Sequence, residues 1–166
     1  VADLMGTTSS TFAIDASPWT LVGVTSTTNV TSCSNVPLLG GVGILNPGGY
    51  AKRTYNSLPT HNMIYFRFRF YVIDNWQSSD TFVIHFDSKT VSGGTPGSKK
   101  SGFTANYCGS SSHNDLKYYT LVGKVVHARP TLDLKIVSGL SSTPSVASFG
   151  VREISLQFVQ KASSDS

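Results

Sequence analysis

Asp74, Asn75 and Trp76 stand together at the end of a long alternating run, with Tyr65 and Tyr71 a few residues before them. An indole ring can stack on the apolar face of a sugar while a carboxylate and an amide at its rim take the hydroxyls. The competing reading is a Trp folded over the edge of a sheet, with the two tyrosines serving as cation–π partners of Arg67 and Arg69. Asp74, Asp80, Asp87 and Asp115 fall at strand ends or in loops, where their oxygens could gather around a calcium ion. Loop aspartates are more often turn formers, so no cofactor is expected beyond that calcium possibility.

Catalytic chemistry finds little to work with. The four histidines, His61, His85, His113 and His127, include no pair spaced to present two metal ligands from one element. No Gly-x-Ser-x-Gly elbow is present, and Glu153 is the single glutamate of the chain, which leaves no carboxylate pair of the glycosidase kind drawn from Glu. The expectation is a protein that is not an enzyme. Nucleic acid is not an expected partner either: the net charge is +4, but apart from Lys99-Lys100 the basic residues are scattered and form no stripe along which a phosphate backbone could run.

Ser and Thr make up about a quarter of the 166 residues and charged residues only 13%. Hydroxyl-rich, charge-poor surfaces of this kind suit an extracellular or cell-surface protein. Cys33 and Cys108 match no close-spaced zinc motif, and in a secreted β protein they would form one long-range disulfide; two buried thiols are the alternative. Asn29-Val30-Thr31 is a glycosylation sequon. No signal peptide and no long apolar run is present, so the chain reads as a soluble mature form without membrane insertion.

The elements that must position these residues are strands. Phe66, Phe68, Phe70 and Val72 alternate with Tyr65, Arg67, Arg69 and Tyr71, a period of two that turns the first set to a core and the second to an outer face. Further runs place Phe82, Ile84 and Phe86, then Leu132, Leu134 and Ile136, then Ile154, Leu156 and Phe158 inward. The 65–74 and 81–87 runs are expected to be adjacent antiparallel strands, and 92–102 a loop. Short strands, turn clusters between them and no helical period predict an all-β, antiparallel β-sandwich, jelly-roll-like or immunoglobulin-like. One sandwich domain over 18–160 is expected, preceded by an N-terminal arm over 1–17 and followed by a polar tail over 161–166.

Leu39-Gly40-Gly41, Leu58-Pro59-Thr60-His61, the strand ending Ile73-Asp74-Asn75-Trp76 and Phe149-Gly150-Val151-Arg152-Glu153-Ile154 together resemble a β-sandwich module of secreted and cell-surface proteins of ciliates and other protists. The resemblance runs from about Trp19 to Phe158. It implies a galactose-binding-like architecture and an extracellular, non-catalytic role. Two functions fit. The first is a self-assembling structural subunit of a filament, scale or surface coat, its partners being copies of itself. In that case the arm would supply a strand to a neighbouring copy, with Phe12 and Ile14 as the inserted side chains. The alternative is a carbohydrate-binding, lectin-like adhesion module that takes glycans at Asp74, Asn75 and Trp76.

Overall fold

Residues 2–5 and 16–162 are described by a computed structural model, residues 2–5 through their backbone alone. Among the described residues eleven strands form two antiparallel sheets. In the first sheet the order is β3 (Val30–Cys33), β4 (Val36–Gly40), β11 (Ala147–Val159), β6 (Met63–Asp74) and β9 (Leu116–Val126). The short β1 (Ala2–Met5) pairs with residues 154–157 of β11, beyond the stretch that β4 covers. The second sheet is ordered β2 (Thr20–Val24), β5 (Leu45–Tyr55), β10 (Leu132–Gly139), β7 (Thr81–Phe86) and β8 (Lys89–Gly94). The protein is an antiparallel β-sandwich.

Alternation explains the core. Every residue expected inward from the four period-two runs is buried: Phe66, Phe68, Phe70, Phe82, Ile84, Phe86, Leu132, Leu134, Ile136, Ile154, Leu156 and Phe158. In β11 the register against β6 shifts between Val151 and Glu153, so that Val151 and Ile154 both face inward although three residues apart. A bulge of this kind inserts one residue and restores the phase.

The expected pairing of β6 with β7 is corrected. β6 lies between β11 and β9, whereas β7 lies between β10 and β8, so the two runs belong to opposite sheets. Side by side they would have presented one wide apolar face still needing a cover. Stacked across the sandwich each covers the other, and the Phe70 and Phe82 rings meet with centroids 4.2 Å apart. The loop expected over 92–102 is corrected in part: Lys89–Gly94 forms the edge strand β8, reached from β7 through Asp87 and Ser88, both at positive φ. Its Thr, Ser and Gly residues carry no apolar alternation because an edge strand has little to bury.

Ala2–Met5 pairs with β11 of its own chain. Phe12 and Ile14 lie outside the described residues.

Tyr71 and Ile73 sit on the Arg-bearing side of β6 and are nevertheless buried, forming a second small cluster with Cys33 and Leu38. The segment leading into β9 covers them, and a disulfide between Cys33 and Cys108 ties that segment to β3. Further along the same face Arg69 is neutralised by Glu153 at 2.9 Å and lies over the Tyr118 ring.

Candidate functional site

At Asp74 the chain leaves β6 with a positive φ of 68°, a backbone state uncommon for any residue other than glycine. This reversal sends Trp76 inward and Asn75 outward. Trp76 is fully buried, its ring edge-on to Phe82 and Phe149, and its indole N–H donates to the carbonyl of Ser148 at 2.9 Å. The stacking role expected of Trp76 needs an open ring face, and the core leaves it none. Tyr71 is equally buried. Trp76 anchors the β6–β7 connection in the core, which is the physical content of the sheet-edge reading.

Two aspartates brace the loop that enters β9. The carboxylate of Asp115, 1% exposed, accepts the backbone N–H groups of Asp74, Tyr107 and Cys108 at 2.8, 2.8 and 2.9 Å. Asp74 in turn accepts the Ser110 N–H at 2.9 and 3.0 Å. Between them stands Gly109 at φ +78°, where a Cβ would come within 2.3 Å of an Asp74 oxygen, so the loop closes on Asp74 only with glycine there. Buried polar groups matched this completely make a rigid frame.

On that frame a pocket of about 370 Å³ opens at the end of the sandwich, lined by Asp74, Asn75, Lys100, Phe103, Ser112, His113 and Asn114. Phe103 is the buried aromatic member, with the Lys100 ammonium 5.0 Å from its ring centre. The Asn114 amide donates to the Phe103 carbonyl at 3.3 Å, and Lys100 donates to the Trp76 carbonyl. Of the three residues expected to bind together, Asp74 and Asn75 line the pocket. Phe103, Ser112, His113 and Asn114 were missed, because nothing in a Ser/Asn/His-rich turn tells which of its side chains converge.

Burial raises the Asp74 carboxyl above its usual 3.8, helped by the nearby Asp115 charge and opposed by the Ser110 N–H and by His113. Asp80, in the β6–β7 connection, moves the other way. Burial pushes it up, but the Ser141 hydroxyl, the Gln77 and Ser141 N–H groups and the Lys100 charge together outweigh burial and hold it below 3.8. The signs follow from proton linkage. Asp80 contributes stability that is complete above the unfolded value and is lost as pH falls through the lower folded value. Asp74 costs stability above its raised folded value, a cost that disappears as pH falls toward 3.8. Melting temperatures between pH 2 and 7 are therefore expected to fall less steeply at the acid end for Asp80→Asn than for the wild type. Asp74→Asn should lack the gain on mild acidification, and parallel curves for all three proteins would refute both assignments.

The calcium expectation meets carboxylates already committed. Asp74 and Asp115 hold the N–H groups named above, and Asp80 accepts from Gln77 and Ser141. Asp87 accepts from the Asp133 N–H and from His127, with Arg129 3.5 Å away. Among the described residues no group of three or more His, Cys, Asp or Glu could hold a metal ion. At the opposite end of the sandwich the fold joins histidines that spacing kept apart: His61 Nδ1 lies 2.7 Å from the Pro59 carbonyl, its Nε2 lies 2.7 Å from His127 Nδ1, and His127 Nε2 lies 2.8 Å from Asp87. Both rings are buried, and the chain of contacts clamps the β5–β6, β7–β8 and β9–β10 connections together. His85 lies on the outer face of the second sheet, and His113 lines the loop-end pocket. Asn29 is half-buried, with its amide nitrogen 3.4 Å from the Trp19 carbonyl.

Comparison with solved structures places this geometry among known folds. The CBM35 from Cellvibrio japonicus Abf62 is matched with a TM-score of 0.51 at 11% identity over 96% of this chain and 95% of that one. A family 35 carbohydrate-binding module from Clostridium thermocellum gives a TM-score of 0.49 at 10% identity over 87% and 95%. The K3 cleaved adhesin domain of Lys-gingipain from Porphyromonas gingivalis gives 0.49 at 10% identity over 84% and 91%. What is shared is the fold. No family model matches the chain, and no curated protein matches it.

The antiparallel β-sandwich expected from the strand pattern is thus the architecture found, and none of these three structures comes from a ciliate or another protist. The leading functional expectation, a self-assembling subunit of a filament, scale or coat, is overturned. The CBM35 that shares the sandwich favours the second expectation, a carbohydrate-binding module, over the first.

Proposed function

We propose that this chain is a non-catalytic carbohydrate-binding module that takes its saccharide in the loop-end pocket beside Asp74 and Asn75. The observation that carries the reading is that two residues with side-chain amides, Asn75 and Asn114, one with a hydroxyl, Ser112, and one with an imidazole, His113, line a single pocket together with Phe103. Amides both donate and accept, which is what vicinal sugar hydroxyls require, and a volume of about 370 Å³ lies within the range of small-ligand sites. The bracing of the pocket by Asp74, Asp115 and the Cys33–Cys108 disulfide supports the reading, since a loop held in place loses little further freedom on binding. Likeness of fold to carbohydrate-binding modules supports it from a separate direction. The disulfide and the hydroxyl-rich, charge-poor composition favour an extracellular or cell-surface location.

Glycan-array screening followed by calorimetry on the best binder tests this. Asn75→Ala combined with His113→Ala removes two exposed or half-exposed polar groups while leaving Asp74 and Asp115 in place. The double variant is expected to bind about 10- to 100-fold more weakly, the effect of one or two lost hydrogen bonds in a site of this kind. Unchanged affinity in a variant with the wild-type melting temperature would remove the pocket from the binding role.

A further inference from the structure

The outer face of the second sheet carries a groove of about 500 Å³ whose walls include Thr20, Lys52, Thr54, Ser88, Asp133 and Lys135. It shares no lining residue with the loop-end pocket. We propose that this groove is a second binding site, for an acidic saccharide, with the Lys52 and Lys135 ammonium groups taking its carboxylate or sulfate groups.

The argument starts from register. Lys52 of β5 and Lys135 of β10 are directly opposite partners in the antiparallel ladder. Their Cβ atoms therefore leave the sheet on one face about 5 Å apart, an arrangement in which like charges destabilise the sheet. The same row continues to Thr20 on β2 beside Lys52 and to His85 on β7 beside Lys135. Among the described residues lining the groove the one acid is Asp133, and its Oδ1 accepts the Thr54 hydroxyl at 2.8 Å. Lys135 is held, with its ammonium 4.7 Å from the Tyr50 ring centre, while Lys52 is exposed. An anionic group lying between the two ammonium groups would turn a repulsive pair into two charge-assisted hydrogen bonds.

Chemistry on the same walls selects a saccharide over other polyanions. Thr20, Thr54 and Ser88 offer hydroxyls, and the carboxylate of Asp133 can accept from a ligand hydroxyl. A phosphate backbone has no hydroxyl donors at its charged edge to offer Asp133, and the three cations that line the groove, Lys52, Arg53 and Lys135, are too few to neutralise a run of phosphates. A sugar acid carries both halves of the pattern: an anion for the lysines, and hydroxyls for Asp133 and the Thr/Ser walls. The groove is inferred from its own residues and does not depend on the loop-end reading.

Calorimetry at low salt with the full chain tests the inference against four probes: an oligogalacturonate, a sulfated oligosaccharide of equal length, a neutral oligosaccharide, and a single-stranded DNA oligomer of equal charge. Binding of the oligogalacturonate or of the sulfated chain, stronger than that of the neutral one and weakening as salt rises, is the expected result, and the first two arms separate carboxylate from sulfate. Lys52→Gln/Lys135→Gln, two substitutions at solvent-facing sheet positions, should weaken this binding about tenfold or more, while Asn75→Ala/His113→Ala should leave it unchanged. The inference is overturned if neither acidic probe binds, if the lysine double variant binds as well as the wild type, if the DNA binds at least as tightly as the acidic saccharide, or if only the loop-end variant loses the acidic ligand.

Discussion

Asp115→Ala is expected to lower stability by about 4–6 kcal/mol and to abolish the saccharide binding proposed for the loop-end pocket. Three backbone N–H groups, of Asp74, Tyr107 and Cys108, lose their acceptor at once. A buried donor left without a partner costs about 1–3 kcal/mol, with more for those bonded to a charged group, and here they share one carboxylate. Asp115→Asn keeps one carbonyl oxygen and should lose roughly half as much. Because the same carboxylate fixes both the end of β6 and the loop around Cys108, binding and stability are expected to fall together. Urea denaturation of the two variants, with calorimetric titration of the selected glycan, measures both effects. A stability loss below about 1 kcal/mol in Asp115→Ala would mean that water replaces the carboxylate and that the brace has been misread.

The second large effect is expected at Phe82. Its ring contacts Phe70 at 4.2 Å, Phe149 at 5.2 Å, Tyr119 at 5.6 Å and Trp76 at 5.9 Å between centroids, so it joins side chains of both sheets to the β6–β7 connection. Phe82→Ala should cost about 4–5 kcal/mol, the upper part of the range for deleting a buried ring, since four aromatic neighbours cannot all collapse into one cavity. A double-mutant cycle with Phe70→Leu and Phe82→Leu isolates the contact across the sandwich. A coupling of about 0.5–1.5 kcal/mol is expected from two rings in tilted contact between the sheets. Strictly additive losses would argue that the two strands do not face one another.

How much of the site could be read in the chain differs residue by residue. Asp74 and Asn75 were legible because they follow directly on a strand whose alternation marks where it ends. Trp76 was legible as an aromatic but not as a buried one: one step of backbone reversal at positive φ decides which of two neighbours points to solvent, and no periodic pattern records that step. Phe103 and Asn114 reach the pocket through a loop held by Asp115 and by a disulfide spanning 75 residues, contacts that have no local signature. His61, His127 and Asp87 are likewise brought together by the meeting of three connections at one end of the sandwich.

By itself the sequence determined which residues of the four alternating strands, β6, β7, β10 and β11, face the core between the sheets. A side chain's face depends only on its parity along the strand, and burial of one face enforces that parity. It also determined that the architecture is a β-sandwich, since amphipathic strands without helical periods must cover one sheet with another. The tertiary structure alone decided which strands share a sheet, why β6 and β7 meet face to face, and which polar residues converge. Strand order is set by long-range closure of backbone ladders and by the volume the two apolar faces must fill together. Lys52 and Lys135 show the difference most simply: each reads as an ordinary outward lysine, and only the pairing of β5 with β10 makes them neighbours.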